Sequence, residues 1–372
     1  MLQVLFIAFL CIVAINFSYF LFFGIFFFSY KERKIENDNQ NYIPVSLIIC
    51  AKNEASSLQE NIPLFLKQSH PDFELILVND TSADETLEVM EDFQRQDARI
   101  KIVNVQNNER FWGNKKYALT LGIKKAMHSH LIFTDADCKP KSNEWLSLMA
   151  SQFSETKEIV LGYGSYDTIE NSFLNKMIRY ETLLTATQYF SYAYWGSAYM
   201  GVGRNLAYTS QLFYDHNGFV PHMNILSGDD DLFVNAAATS KNVALVLEKD
   251  GFTKSEPKNT WQEWYTQKRR HVSTASHYKP KHKFLLGLYF ASQVLFWLLG
   301  AILWIADSNF AYWIIGFFIF KLFLKYIVIG KAAKTLNEKG LLWLMPFQEI
   351  VLLATQFGIF VHNLISKPVH WK

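Results

Sequence analysis

The chain is poor in the residues that build metal cages and disulfide scaffolds. Of 372 residues only three are cysteines, Cys11, Cys50 and Cys138. The number is odd and the spacing wide, so neither a zinc pattern nor a disulfide framework can be assembled. Cys11 lies in an apolar run and Cys50 ends an apparent strand, which makes both packing residues. Cys138, next to an aspartate pair, reads either as a reactive thiol or, in preference, as a small buried side chain. Net charge is only +2, which argues against the strongly basic surface of a nucleic-acid binder. No Gly-x-Gly-x-x-Gly follows the first β-rich run, and no Gly-x4-Gly-Lys-Ser/Thr occurs. Both a dinucleotide-binding Rossmann domain and a P-loop NTPase are thereby disfavoured.

Charge is also missing from long stretches. Residues 2–29 carry none, while the whole chain is 50% hydrophobic with 32 phenylalanines. A helix of that length crosses the hydrocarbon core with room for tilt. A cleaved signal peptide would show a basic start, a shorter apolar core and a small-residue cleavage site. None is visible, so residues 1–30 read as a retained anchor. Three more apolar segments lie near 284–306, 310–330 and 341–366. Lys31, Arg33 and Lys34 follow the first segment, Lys279, Lys281 and Lys283 precede the second, and Lys331, Lys334 and Lys339 follow the third. The turn Asp307-Ser308-Asn309 has no basic residue. By the positive-inside rule the first terminus lies outside and residues 31–283 in the cytoplasm. The tail, with Lys367 and Lys372, would then lie outside, which fits less well. The last segment, which contains Pro346, is therefore also read as re-entrant or interfacial. Lys321 and Glu349 would sit at similar depth, each about 12 Å from the cytoplasmic end at 1.5 Å per residue. Either they pair, or Lys321 snorkels while Glu349 faces the headgroups.

Residues 31–283 have a different pattern. The runs 45–50, 74–78, 100–105, 130–134 and 158–164 are short and β-rich, and 58–67 and 85–96 have helical spacing. Alternating strands and helices predict an α/β domain with a mostly parallel sheet. Three of these strands end on acidic residues: Asn53-Glu54 after the first, Asn79-Asp80 after the second and Asp135-Ala136-Asp137 after the fourth. One such acid is an ordinary cap; Asp80 or Ser82 would cap the helix from Glu85. Three together mark a polar crevice at the carboxyl ends of a parallel sheet.

LIICAKNEASSL, LVNDTSADET, FTDADCKP, SGDDDLF and QKRRH occur in this order. Together they resemble the family 2 glycosyltransferases across about residues 44–275. The flanking helices resemble that family's membrane-embedded branch. The resemblance implies the GT-A fold and transfer of a sugar from a nucleotide-sugar, most simply a UDP-sugar. It implies a hard divalent cation, Mg²⁺ or Mn²⁺, with oxygen ligands.

Carried over residue by residue, the resemblance gives Asp137 to the metal and Asp135 to the ribose or base. Asp80 would read the uracil ring, and Asn53 and Glu54 would line the nucleotide end. Glu54 is equally a first-turn acid favoured by the helix dipole. Lys115 matches the family's lysine ahead of an Ala-Leu pair, although Asn114 stands where that pattern often has glycine. Lys116 reads as a surface lysine. The acceptor hydroxyl needs a general base, and Gly228-Asp229-Asp230-Asp231-Leu232 matches the acidic motif that supplies it. Alignment on Asp231-Leu232 makes Asp229 the base, and alignment on the acid pair makes Asp230 the base. Gln267 and Arg270 match the family's Gln-x-x-Arg-Trp, with His271 in place of tryptophan, which weakens a processive reading. Arginine suits a diphosphate, while QKRRH is also a basic patch that would meet anionic lipid. Arg204, in GVGRNLAY, would hold a phosphate near the acceptor or cap a helix. The aromatics of 171–200 would shape an acceptor path at the membrane surface or simply pack a core.

The sequence thus reads as three parts. Residues 1–30 are an N-terminal membrane helix, 31–283 a cytoplasmic GT-A domain, and 284–372 a membrane domain of two to three helices. The expected activity is inverting, metal-dependent sugar transfer at the cytoplasmic membrane to a lipid or polysaccharide acceptor. A processive polysaccharide synthase working with a partner subunit or as an oligomer is the alternative. A non-catalytic membrane scaffold is the remaining class.

Overall fold

In the computed structural model, which describes residues 1–31, 42–106, 115–225, 227–306 and 308–366, the charge-free start forms one helix, α1 (Leu2–Ser29). The α/β region follows as β1 (Val45–Ala51), α2 (Ala55–Leu66), β2 (Phe73–Asn79), α3 (Thr86–Gln96), β3 (Ile100–Asn104) and α4 (Lys115–Lys125). It continues as β4 (His130–Asp135), β5 (Cys138–Pro140), α5 (Trp145–Ala150), β6 (Ile159–Leu161), β7 (Gly164–Tyr166) and α6 (Phe173–Tyr194). Next are β8 (Leu206–Thr209), α7 (Ser210–Asp215), α8 (Asp231–Ala237), β9 (Val243–Leu245), β10 (Thr253–Ser255) and α9 (Trp261–Thr274). Three long helices come last: α10 (Pro280–Ala306), α11 (Ala311–Thr335) and α12 (Met345–Ile365). Arg33, Lys34, Asn114, Asp307, Lys367 and Lys372 lie outside the described residues.

The main sheet has the order β3-β2-β1-β4-β8-β6-β9. β1, β2, β3 and β4 run parallel, and β8 runs antiparallel to both β4 and β6. Side chains alternate across this sheet. Ile48, Ile76, Val78 and Phe133 face one core with α4 and α6, while Leu47, Ile49, Leu75 and Leu77 face a second core with α2 and α5. Both faces are covered, which is why these strands read as continuous apolar runs. The expected strand 158–164 divides in two. Its first half is β6 in the main sheet, and its end, β7, belongs to a three-stranded sheet of order β5-β10-β7. β5 starts one residue after Asp137, so the aspartate pair sits where the chain leaves one sheet for the other.

α1 packs against α10 and α11. A polar pin joins them: Asn16 donates to the Ser292 carbonyl (2.9 Å) and accepts from Gln293 (2.6 Å). The expected Lys321–Glu349 pair is present at 2.9 Å, and Lys325 joins the same carboxylate at 2.6 Å. Lys321 is 1% exposed, so it pairs rather than snorkels. Cys11 corrects its assignment as a packing residue: it lies exposed on the outer face of α1. Four helices are long and apolar enough to cross a membrane, and the one containing α12 is the least apolar of them. Both ends of α12 are tied to the α/β region. Near its start Gln348 donates to the Lys176 carbonyl of α6. Near its end Arg269 of α9 donates to Asn363 (3.1 Å) and to the Ser366 carbonyl (2.7 Å).

Candidate active site

The carboxyl ends of β1, β2 and β4 open into one cavity of about 1240 Å³. β1 delivers Glu54, β2 delivers Asp80, and the turn after β4 delivers Asp135 and Asp137. Asp80 is 4% exposed, and its Oδ2 has no hydrogen-bond partner. Burial pushes its carboxyl above the usual range, against the pull of Lys52 and Lys115. Such a group is set to accept a donor from an occupant. Neither Asp80 nor Ser82 caps the helix after β2. Asp84 accepts from the Thr86 amide there (3.1 Å), and Ser82 accepts from the Asn53 amide (3.0 Å).

Asn53 departs from its expected place at the nucleotide end. It has a positive φ of 54°, and its amide oxygen accepts from the Ala83 backbone at 2.8 Å. It knits the loop after β1 to the loop after β2 and is absent from the cavity lining.

Lys115 starts α4 and reaches across the cavity. Its ammonium contacts Asp135 at 2.7 Å and Asp229 at 3.1 Å. Burial alone would lower its pKa, but the two carboxylates more than offset this and raise it well above the usual value. Lys115 thus couples the strand-end acids to the acidic helix start. Lys116 overturns its reading as a surface lysine. It is 1% exposed, and its ammonium donates to the carbonyls of His222 (2.9 Å), Ile225 (2.7 Å) and Ser227 (2.6 Å). It clamps the segment that leads into the acidic motif. In the sequence the Lys-Lys pair gave no sign of which lysine faced inward.

The acidic motif divides its work. Gly228 turns the chain at a φ of 99°, and a Cβ there would lie 2.5 Å from Leu232 Cδ1. That left-handed turn, readily adopted by glycine, swings Asp229 toward Lys115. Asp230 caps α8: it accepts from the Asp231 amide (2.7 Å) and the Gly203 amide (2.7 Å). Burial, then Asp229 and Asp231, push its carboxyl up to about 7. Asp231 is buried and structural, held by Thr274 and by the Tyr278 hydroxyl (2.7 Å). Thr274 and Tyr278 carried no sequence signal, because they arrive from a distant helix end.

α9 is held at its start by a Thr260–Glu263 capping box. Gln267, Arg270 and His271, at i, i+3 and i+4, present one face to the cavity. His271 is open to the cavity yet enclosed by its walls. That enclosure, with Lys268 and Arg270, holds its imidazole well below the usual pKa. Lys268 pairs with Glu181 of α6 on the opposite wall. Arg204 is not a helix cap. It lies 4.1 Å over the Tyr166 ring and donates to the Ser165 carbonyl (2.9 Å) and Ser255 (2.8 Å). Most of the aromatic stretch forms α6, whose rings largely pack the core. Tyr180, Tyr189 and Phe190 are buried core, and Glu181, Thr185 and Gln188 line the cavity.

Asp135, Asp137 and Cys138 bring their ligand atoms within 4.8 Å of one another. The Cys138 thiol is buried, and burial with Asp137 and Asp135 beside it raises its pKa well above the usual value. It donates to Asp137 Oδ1 at 3.6 Å. The donor set available to a cation is therefore two carboxylates, which suits a hard oxygen-seeking ion.

A parallel sheet with a crevice at its carboxyl ends, followed by a second small sheet, is the GT-A arrangement of nucleotide-sugar transferases. A mannosyltransferase from Pyrobaculum calidifontis, solved with GDP-mannose and Mn²⁺, superposes with a TM-score of 0.57 over 91% of this chain and 100% of that one, at 16% identity. The family profile described as Glycosyl transferase family 2 matches residues 46–217. The poly-beta-1,6-N-acetyl-D-glucosamine synthase of Staphylococcus epidermidis is 28% identical over 120 residues, 31% of this chain and 28% of that protein. Glycosyltransferase GlyG of Streptococcus pneumoniae is 28% identical over 130 residues, 35% of this chain and 42% of that protein. These matches span less than half of either relative's length. Over residues 46–217 the chain matches the family 2 glycosyltransferases, and its fold is the GT-A fold.

Proposed function

We propose that the protein is an inverting transferase that moves a sugar from a UDP-sugar to an acceptor at the cytoplasmic membrane. The observation that carries this reading is the cavity's polarity. Strand-end acids stand on one wall and the acidic helix start on the other, bridged by Lys115. The orphaned Asp80 Oδ2 suits the ring N–H of uracil. Glu54 and Asp135 would complete the nucleoside end, and Gln267 and Arg270 would face the diphosphate. Mg²⁺ or Mn²⁺ at Asp137, beside Asp135, would neutralise the departing diphosphate.

Asp230 is the proposed general base. Asp229 is engaged by Lys115, whereas the Asp230 carboxyl, pushed up to about 7, matches the operating pH. It would take the acceptor's proton as the oxygen attacks the anomeric carbon in one displacement. Arg204 and His271 flank the acceptor side.

In this reading residues 1–30 anchor the chain, 31–283 form the cytoplasmic catalytic domain, and 284–372 form the second membrane part. Lys279, Lys281 and Lys283 support a cytoplasmic start for α10. α12 lies along the interface, because both of its ends meet the α/β region. Its outward residues Phe347, Phe357 and Leu364 are exposed and apolar.

A second reading is supported by the similarity to a poly-N-acetylglucosamine synthase: processive synthesis with a partner subunit or oligomer. The test is nucleotide release by purified protein with Mn²⁺ across a panel of sugar nucleotides, beside Asp137→Ala. Release from one UDP-sugar, lost on substitution, is expected. Release from none, or release indifferent to Asp137→Ala, would sink the proposal.

A further inference from the structure

The cavity does not end at the acidic helix start. It continues between α10 and α12, where Leu286, Phe290, Leu352 and Phe360 wall it. At about 1240 Å³ it exceeds the roughly 300–1,000 Å³ typical of a pocket for one small ligand. Its membrane end is polar. Gln293, Lys325 and Glu349 line it. Gln293 is 3% exposed, and its Oε1 has no hydrogen-bond partner. A buried acceptor left without a donor costs about 1–3 kcal/mol, and a hydroxyl-bearing occupant would satisfy it.

Behind this polar floor the helices close. Lys321 shares Glu349 with Lys325 and lies 4.2 Å over the Phe296 ring. Phe296 packs with Phe9, Val13, Leu303 and Ile314 in a buried apolar cluster. Along α10 the cavity lining stops at Gln293. Among the described residues the lobe is therefore blind.

We propose that this blind polar lobe is the acceptor subsite for the saccharide head of a membrane glycolipid. The enzyme then extends a finite lipid-linked saccharide and does not extrude a polymer through its own helices. This inference rests on the sugar-transfer reading above. A head-group hydroxyl gives its proton to Asp230. Its oxygen bonds the anomeric carbon, and the bond from that carbon to the nucleoside diphosphate breaks, the electron pair leaving with the diphosphate. Beside Asp230 a neutral hydroxyl suits the nucleophile's place better than a phosphate, because Asp229 and Asp231 add negative charge there. The acyl chains leave between α10 and α12. There Gly287 is exposed, and a Cβ on it would meet nothing within 4 Å.

The full-length protein in mixed micelles, given labelled UDP-sugar with monoglucosyl diacylglycerol or polyprenyl phosphate, tests this. Chloroform-soluble, acid-stable label on the glycolipid, longer by one or a few sugars, is expected. Gly287→Trp fills the groove without a backbone clash, and Gln356→Leu removes a polar group from the lining. Each is expected to raise KM for the glycolipid at least tenfold while the donor Kd stays within twofold. Acid-labile label on the polyprenyl phosphate, a long water-soluble glycan, donor turnover with neither lipid labelled, or a KM that neither substitution moves would each overturn the proposal. Absence of any nucleotide-sugar binding would remove the transfer reading itself, and this proposal with it.

Discussion

Lys116→Met isolates what holds the acidic helix start in place. The ammonium donates to three carbonyls within residues 222–227. Charge-assisted bonds of this kind contribute about 1.5–3 kcal/mol each. Against this stands burial, which lowers the ammonium's pKa from 10.5 to about 8 and corresponds to about 3 kcal/mol. The balance leaves about 1.5–6 kcal/mol ordering the segment that runs into Asp229 and Asp230. Methionine keeps the aliphatic stem and removes every donor. kcat is expected to fall at least tenfold, while donor Kd changes less than threefold, since Asp80, Asp135 and Asp137 stand on other elements. Amide hydrogen exchange across 222–228 should accelerate in parallel. Wild-type kcat with unchanged exchange in that segment would refute the clamp.

Three further outcomes follow from the same geometry. With its carboxyl raised from 3.8 to about 7, Asp230 should give kcat/KM that rises with pH through about 7, and Asp230→Asn should abolish that limb with a loss of about 10²–10⁴-fold. The sign for stability is opposite: between pH 3.8 and about 7 the folded carboxyl binds more proton than the unfolded one, so stability falls as pH rises through that window. Thermal unfolding at pH 5 and pH 8 checks it, and a wild-type limb retained by Asp230→Asn would pass the base role to Asp229. Gly228→Ala places a Cβ 2.5 Å from Leu232 Cδ1 at a φ of 99°; about 1–3 kcal/mol of strain should appear as lower kcat, and wild-type kcat would contradict the turn's role. Glu338 holds Arg179 at 2.7 Å and accepts from Tyr163, both acid and arginine nearly fully buried. Glu338→Leu strands the guanidinium, a loss of about 3–5 kcal/mol, readable as a lower unfolding temperature in detergent.

Local order left clear marks in the sequence. β1, β2 and β4 were legible because strands buried on both faces must be apolar throughout, and α1 because 28 uncharged residues have few other stable states. The strand-end acids were legible for the same reason: carboxylates rarely interrupt buried strands unless they are used. Pairings between distant segments left no such mark. Lys115 and Lys116 are neighbours of identical type, yet helix rotation aims one at Asp135 and Asp229 and buries the other against three carbonyls. Asn53 shares its loop with Glu54 but turns to bind Ala83. Asp231 looks like Asp229 and Asp230 until Thr274 and Tyr278 arrive to hold it. Composition and periodicity therefore marked the long apolar segments, the α/β class and the strand-end acids, and the family resemblance added the acidic helix start. Only the tertiary structure decided which partners each acid meets, that both ends of α12 touch the α/β region, and that the cavity ends on a polar floor. Each of those depends on side chains from elements far apart in the chain, whose meeting no local pattern encodes.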